Sequence, residues 1–302
     1  MRSRMLYARS PQWLELMERG DDLLACAEFR EVKNIPRNRA GFFASQHGTV
    51  FIKRCAPGSW IQGIVERLRG SPARRSLRGA EMLSRAGFLV PAPLAAGEQL
   101  WAGAIKVSWI FSEALTAACV LSRFIERGHA PAEQERRLRR ETLAAVAGCV
   151  RRLHDAGLFT SDLQETNLML DRADGALRIH FVDLDGFRLL ARVSGKRRRR
   201  NLVQLDRSVG RFMTRSERLR FLRVYLSAAT SLGRASVPAP MRWDARWDRR
   251  AVRKLVERLM LERERKEREF ARRRIRRGRA GGWDPADTQS PEAIASELSQ
   301  RM

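Results

Sequence analysis

The sequence predicts an α+β protein: a small N-terminal lobe of antiparallel sheet plus one helix, then a larger, mainly helical C-terminal lobe. Three observations carry this expectation. Residues 27–33 and 41–55 hold β-favouring and aromatic side chains around a His47-Gly48 turn signal. Leu138, Leu143, Val146, Val150 and Leu153 recur at helical spacing. Two short apolar strings, NLML and RIHFVDL, flank 171–175 and read as a hairpin.

The elements follow in order. A short helix opens the chain, and two antiparallel strands meet at His47-Gly48. A Gly/Pro-punctuated loop leads to one helix over 76–85, ended by Gly87. Pro91 and Pro93 forbid helix in VPAPLAAG, and a strand pair covers 99–111. From Ala114 the pattern turns helical, with Leu121, Phe124 and Ile125 on one face and a long amphipathic helix capped near Gly157. Helices resume near Asn201. A basic helix follows within 238–282, carrying Trp243, Trp247, Leu255, Leu259 and Leu261, and then a mobile tail. The expected domains are 1–112, 113–237 and 238–302.

Composition excludes several classes. With 44% hydrophobic residues in 302, the chain can bury a core, so general disorder is ruled out. No apolar run approaches the roughly 18–20 residues that span a bilayer. Glu15, Glu18 and Asp21 interrupt the start before a signal-peptide core develops, which points to the cytoplasm. Cys26, Cys55, Cys119 and Cys149 lie far apart with no C-x-x-C, and read as small apolar residues rather than a zinc site or disulfide frame.

The net charge of +25 is almost wholly arginine: of 59 cationic side chains, lysine supplies only positions 33, 53, 106, 196, 254 and 266. A lysine in an apolar stretch therefore suggests a need for a compact ammonium. Lys53 ends the strand TVFIK, where an ammonium can reach nucleotide phosphates, and Glu81, on the helix of that lobe, is expected to hold it. In LFTSDLQETNLML, Asp162 is followed five residues later by Asn167, the spacing of a loop in which a carboxylate accepts a hydroxyl proton and an amide helps to hold a divalent cation. In HFVDLDGF, Asp183 ends an apolar strand and Asp185 follows it; both are candidate Mg²⁺ ligands. Each residue alone could be a cap or turn residue. Their order and spacing together point to phosphate chemistry.

VFIK, RGAEMLSRAGFLVPAP, RRLHDAGLFTSDLQETNLML, FVDLDGFRLL and NLVQLDRSV together resemble the lipopolysaccharide kinase family over about 25–230. The resemblance implies a protein-kinase-like bilobal fold and an ATP- and Mg²⁺-dependent sugar kinase acting on heptose or 3-deoxy-D-manno-octulosonic acid (Kdo) of the inner core. It further implies Lys53 on the phosphates with Glu81 as its partner, Asp162 as base, and Asn167 and Asp183 on the metal. Residues 110–115, including Glu113, would form the adenine-holding hinge. Thr160 stands where these kinases carry His, and G-x-G-x-x-G is absent, so Gly41 and Gly48 would have to cover the phosphates. His154 reads as a packed histidine rather than a catalytic one. The acceptor implied is a lipopolysaccharide core or lipid A-linked sugar.

The basic stretches, KRRRR at 196–200 and 242–279, fit an anionic membrane surface, solvated helix faces or nucleic acid. Glu262, Glu264, Glu267 and Glu269 interrupt the second stretch, which favours lipid over a phosphate-tracking groove and places the protein at the inner face of the cytoplasmic membrane. Alternatives are a protein or small-molecule kinase of the same fold, a pseudokinase scaffold, and, further off, a basic nucleic-acid-binding protein.

Overall fold

The computed structural model describes residues 2–35, 37–126 and 132–227, together with helical positions 257, 261, 264, 265, 268 and 269. Among the described residues the chain divides into two units, one within Met1–Ala117 and Phe181–Phe187, the other within Ala118–His180 and Arg188–Trp283.

The first unit contains β1 (Arg2–Ala8), α1 (Pro11–Glu18), β2 (Phe29–Ile35), β3 (Asn38–Ser45), β4 (Gly48–Cys55), α2 (Trp60–Arg69), α3 (Pro72–Arg85), β5 (Pro93–Trp101) and β6 (Ala104–Glu113). Its strands form one six-stranded sheet, ordered β1-β5-β6-β4-β3-β2. In the β3–β4 hairpin Ser45 pairs with Gly48. The two-residue turn is therefore Gln46-His47, one position earlier than the sequence suggested, and Gly48 enters the strand at φ 107, where glycine is unstrained.

Strand alternation sorts β4 into two faces. Val50 and Ile52 join Trp13, Leu23, Leu94, Trp109 and Phe111 in the core. Phe51 packs on the opposite face with Phe42, Val32 and Ala114, and its ring meets Phe42 edge-on at 5.3 Å. Lys53, two residues on from Phe51, shares that second face.

Two elements of this unit escaped the sequence reading. The edge strand β1 is largely exposed and lacks a clear apolar alternation. The helix α2 replaces the expected loop, with Ser59 capping it by accepting from Gln62 N. Helix α3 starts at Pro72, not at 76, because Ser71 caps it and proline suits the first turn.

The second unit contains β7 (Cys119–Val120), α4 (Leu121–Glu126), α5 (Ala132–Asp155), β8 (Leu158–Thr160), β9 (Leu168–Ala173), β10 (Ala176–Phe181), β11 (Phe187–Leu189), α6 (Gly195–Val209) and α7 (Arg215–Ser227). Leu143, Val146, Val150 and Leu153 of α5 are buried, as their period implies. The helix stops at Gly157, in the left-handed region at φ 77. The expected hairpin is β9–β10, turning at Asp174-Gly175. Helix α6 begins at Gly195, so KRRRR forms its first turns.

The four cysteines are free; Cys55, Cys119 and Cys149 are buried and Cys26 is half-buried. Among the described residues no helix is long and apolar enough to cross a membrane. The expected extension over 238–302 lies outside the described residues apart from the six helical positions. There Arg265–Glu269 and Arg268–Glu264 pair at 3.8 and 3.9 Å.

Candidate active site

In the first unit, Lys53 Nζ donates to Asp183 Oδ1. Asp183 sits at φ 56, ψ 63, an uncommon conformation for a residue with a Cβ. A single 3₁₀ turn, Leu184–Gly186, follows it. Helix α3 grips that turn at two points. Gly79 approaches so closely that a Cβ there would collide with the Leu184 carbonyl oxygen. One turn earlier, the Arg75 guanidinium lies 3.8 Å from Asp185 Oδ2. Below the turn, Phe181 N donates to Leu89 O at 2.9 Å, and the Phe181 ring packs edge-on against Phe88 and Phe187, each at 5.6 Å.

Burial alone would lower the Lys53 pKa, but the carboxylates of Asp183 and then Asp185 outweigh it, and the net direction is upward. The ammonium is therefore charged at neutral pH. Burial likewise pushes the neighbouring Cys55 thiol up.

Glu81 does not hold this lysine. It bridges Arg85 at 2.8 Å with a side chain 58% exposed. The inward face of α3 is made by Ser76, Gly79, Ala80 and Leu83, which turns Glu81 outward, and Asp183 takes its expected place.

Glu113 ends β6 with its N–H donated to Ala92 O at 3.0 Å and its carboxylate accepting from Arg9 at 2.9 Å. It borders a cleft of about 410 Å³ with Arg9, Trp13 and His47. Neither Lys53 nor Asp183 lines that cleft, so it is separate from the Lys53–Asp183 pair.

The expected glycine cover is not formed by Gly41 and Gly48. Gly41 lies within β3, where a Cβ would strike Arg30 O, and Gly48 opens β4. The connection between Ile35 and Asn38, which pair across β2 and β3, contains no glycine.

In the second unit, Asp162 and Asn167 meet as their spacing suggested. Asn167 Nδ2 donates to Asp162 O at 3.0 Å and faces Asp162 Oδ2 at 3.4 Å. This leaves the amide oxygen as the atom a cation could use. Gln164 Nε2 donates to Asp162 Oδ1, and Asp162 N donates to Thr160 Oγ1 at 3.2 Å.

The loop is pinned from outside by residues the sequence reading did not single out. Asn201 of α6, fully buried, donates to Thr160 O at 2.8 Å, and Gln204, one turn on, donates to Ser161 O at 2.6 Å. The buried Glu165 accepts from Ser122 Oγ at 2.8 Å, while its N–H donates to Ser208 Oγ at 2.9 Å. His154, also buried, spans Asn201 Oδ1 at 3.1 Å and Tyr225 OH at 2.8 Å. Burial lowers its pKa to about 4, so it is neutral and structural. The available signal was the polar pair in NLVQ, set one turn apart among apolar residues of an amphipathic helix.

Among the described residues no group of three or more His, Cys, Asp or Glu could cage a metal. In the first unit the donors are hard oxygens, the carboxylates of Asp183 and Asp185. Such a pair suits Mg²⁺, which takes one or two carboxylates and fills its remaining positions with water and phosphate oxygens. In the second unit the Asn167 amide oxygen is a hard donor of the same kind.

The solved structure "WaaP in complex with acyl carrier protein" is similar to this chain at 22% identity and a TM-score of 0.59, covering 88% of this chain and 99% of that one. At that identity the likeness speaks for the fold, which is kinase-like. No curated protein matches the chain. Residues 66–225, more than half of its length, match the lipopolysaccharide kinase (Kdo/WaaP) family, a family of phosphotransferases, and the chain belongs to that family.

Proposed function

We propose that this protein transfers the γ-phosphoryl group of ATP to a hydroxyl of Kdo or heptose in the lipopolysaccharide inner core, at the cytoplasmic membrane face. The observation that carries the reading is the Asp162–Asn167 pair, closed within five residues and pinned by the buried amide of Asn201, in a chain of this family. Asp162 accepts the acceptor's proton as that oxygen bonds to the γ-phosphorus; the bridging P–O bond breaks and ADP departs. The Lys53 ammonium offsets phosphate charge, exchanging Asp183 for the nucleotide when it does so. Asp183, Asp185 and Asn167 would hold Mg²⁺, which supplies charge neutralisation on the phosphates when bound.

The three-part organisation 1–112, 113–237 and 238–302 belongs to this proposal, with the basic last part drawing the enzyme to an anionic leaflet. The solved WaaP complex makes an acyl carrier protein a candidate partner for this chain too.

The test is to incubate the full chain with MgATP and deacylated inner-core oligosaccharide and to locate new phosphate esters by phosphorus NMR. The expected product is a core-sugar monoester. Turnover confined to protein or small alcohol acceptors would overturn the choice of substrate, and nucleotide binding without any turnover would mark a pseudokinase.

A further inference from the structure

Helix α2 is built inside out. A helix on a sheet normally turns its apolar stripe inward, but here the buried residue is Gly63. It lies so near β6 that a Cβ would collide with the Ile105 carbonyl oxygen. With glycine inward, Ile61, Val65 and Leu68, spaced as one helical stripe, are 70%, 37% and 81% exposed. Trp60 stands beside them and donates from Nε1 to Ala102 O at 3.4 Å, tying the helix to the β5–β6 turn, where Trp101 is 60% exposed.

The charges around this stripe have one sign. Arg67 and Arg69 are exposed, and Arg67 reaches the same turn through Gly103 O. The helix's one acid, Glu66, is half-buried with Oε2 shielded from solvent, so its carboxylate is withdrawn from that surface.

We propose that α2 and the Trp101 turn form a bilayer-docking surface, lying in the plane of an anionic membrane with Ile61 and Leu68 among the acyl chains and the two indoles at the headgroup boundary. Ten residues are too few to span a bilayer but suit an interfacial helix. Indoles belong at the headgroup boundary, and arginines flanking an apolar stripe pair with anionic headgroups. A second copy fits worse, because two cation-rimmed faces on chains of charge +25 repel. The inference deepens the proposed function by naming the surface that would meet a lipid-linked acceptor.

The test uses the full chain and vesicles of phosphatidylcholine and phosphatidylglycerol, with no lipopolysaccharide and no ATP, so its failure and that of the kinase reading are separate results. Co-sedimentation is measured in low salt and at ~0.5 M salt, where exposed charges are screened. The Ile61→Ser/Leu68→Ser variant is expected to bind about tenfold or more weakly at both salts, with an unchanged melting temperature. Equal binding by variant and parent would overturn the proposal, since the basic extension alone would then hold the vesicle. So would a concentration-dependent dimer in ultracentrifugation, or a complex with an acidic protein, that the same substitutions abolish while vesicle binding is spared.

Discussion

The Lys53–Asp183 pair and the Asp162–Asn167 loop are held in opposite ways. The first joins residues 130 positions apart through charge on partly solvated side chains. The second closes within five positions and is fixed by neutral amides and hydroxyls of α4 and α6, with Asn201 and His154 fully buried. Partly exposed ion pairs contribute about 0–1 kcal/mol, whereas breaking a buried hydrogen bond costs about 1–3 kcal/mol. The contrast suits the two proposed tasks. An ammonium that must trade a carboxylate for a phosphate needs a weak partner, and a base that must stay aligned with a hydroxyl needs a rigid one.

The contrast can be broken or sharpened by substitution and by pH. Apart from substitution of the base itself, the largest effect is expected from Asp183→Asn, which removes the partner of Lys53 and a proposed metal ligand together. Phosphoryl transfer should fall about 10²–10³-fold in steady-state kinetics, with little change in melting temperature.

Next comes acid sensitivity of the loop. The folded pKa of His154, about 4, lies below its ordinary value of about 6.5. Its contribution is therefore complete above about pH 6.5 and drains away as pH falls toward 4, by on the order of 3 kcal/mol in denaturant titrations. Lys53 has the opposite sign. Its raised pKa gives stability that is present at neutral pH and lost only as pH rises through the folded value in the alkaline range.

Asn201→Ala should cost about 1–3 kcal/mol by urea unfolding, because the Thr160 carbonyl loses its donor and His154 Nε2 its partner. It should also lower kcat more than it raises the KM for ATP. Glu81→Ala should be the mildest, within about 0.5 kcal/mol and without effect on the KM for ATP, since its contact is an exposed bridge to Arg85. A large loss there would restore Glu81 as the lysine's partner and break the contrast.

The same contrast explains what was legible in the sequence. Asp162 and Asn167 could be paired from their spacing because the loop that joins them is local. Lys53 stood out because lysine is scarce in an arginine-rich chain. Its partner was misread because the rotation of α3 is set by small residues, Ser76, Gly79 and Ala80, packing closely beside Leu83, and small side chains leave a weak apolar pattern. A carboxylate 130 positions away leaves no periodic trace. Helix α2 was hidden for a related reason: Gly63 makes its contact with the sheet, so its apolar residues carry no inward pattern, and glycine in mid-segment reads as a loop. Edge strand β1 is mostly exposed and lacks alternation. Asn201 and Gln204 could be seen as polar positions on a helix, but only the folded backbone shows which carbonyls they meet.

The central claim is that Asp162 is the base for transfer to an inner-core sugar, and single-turnover phosphate transfer from ATP to deacylated core tests it most directly. The account predicts that Asp162→Asn slows the transfer step by about 10²–10⁴-fold while ATP affinity and melting temperature stay at parent values. Undiminished transfer by that variant would contradict it.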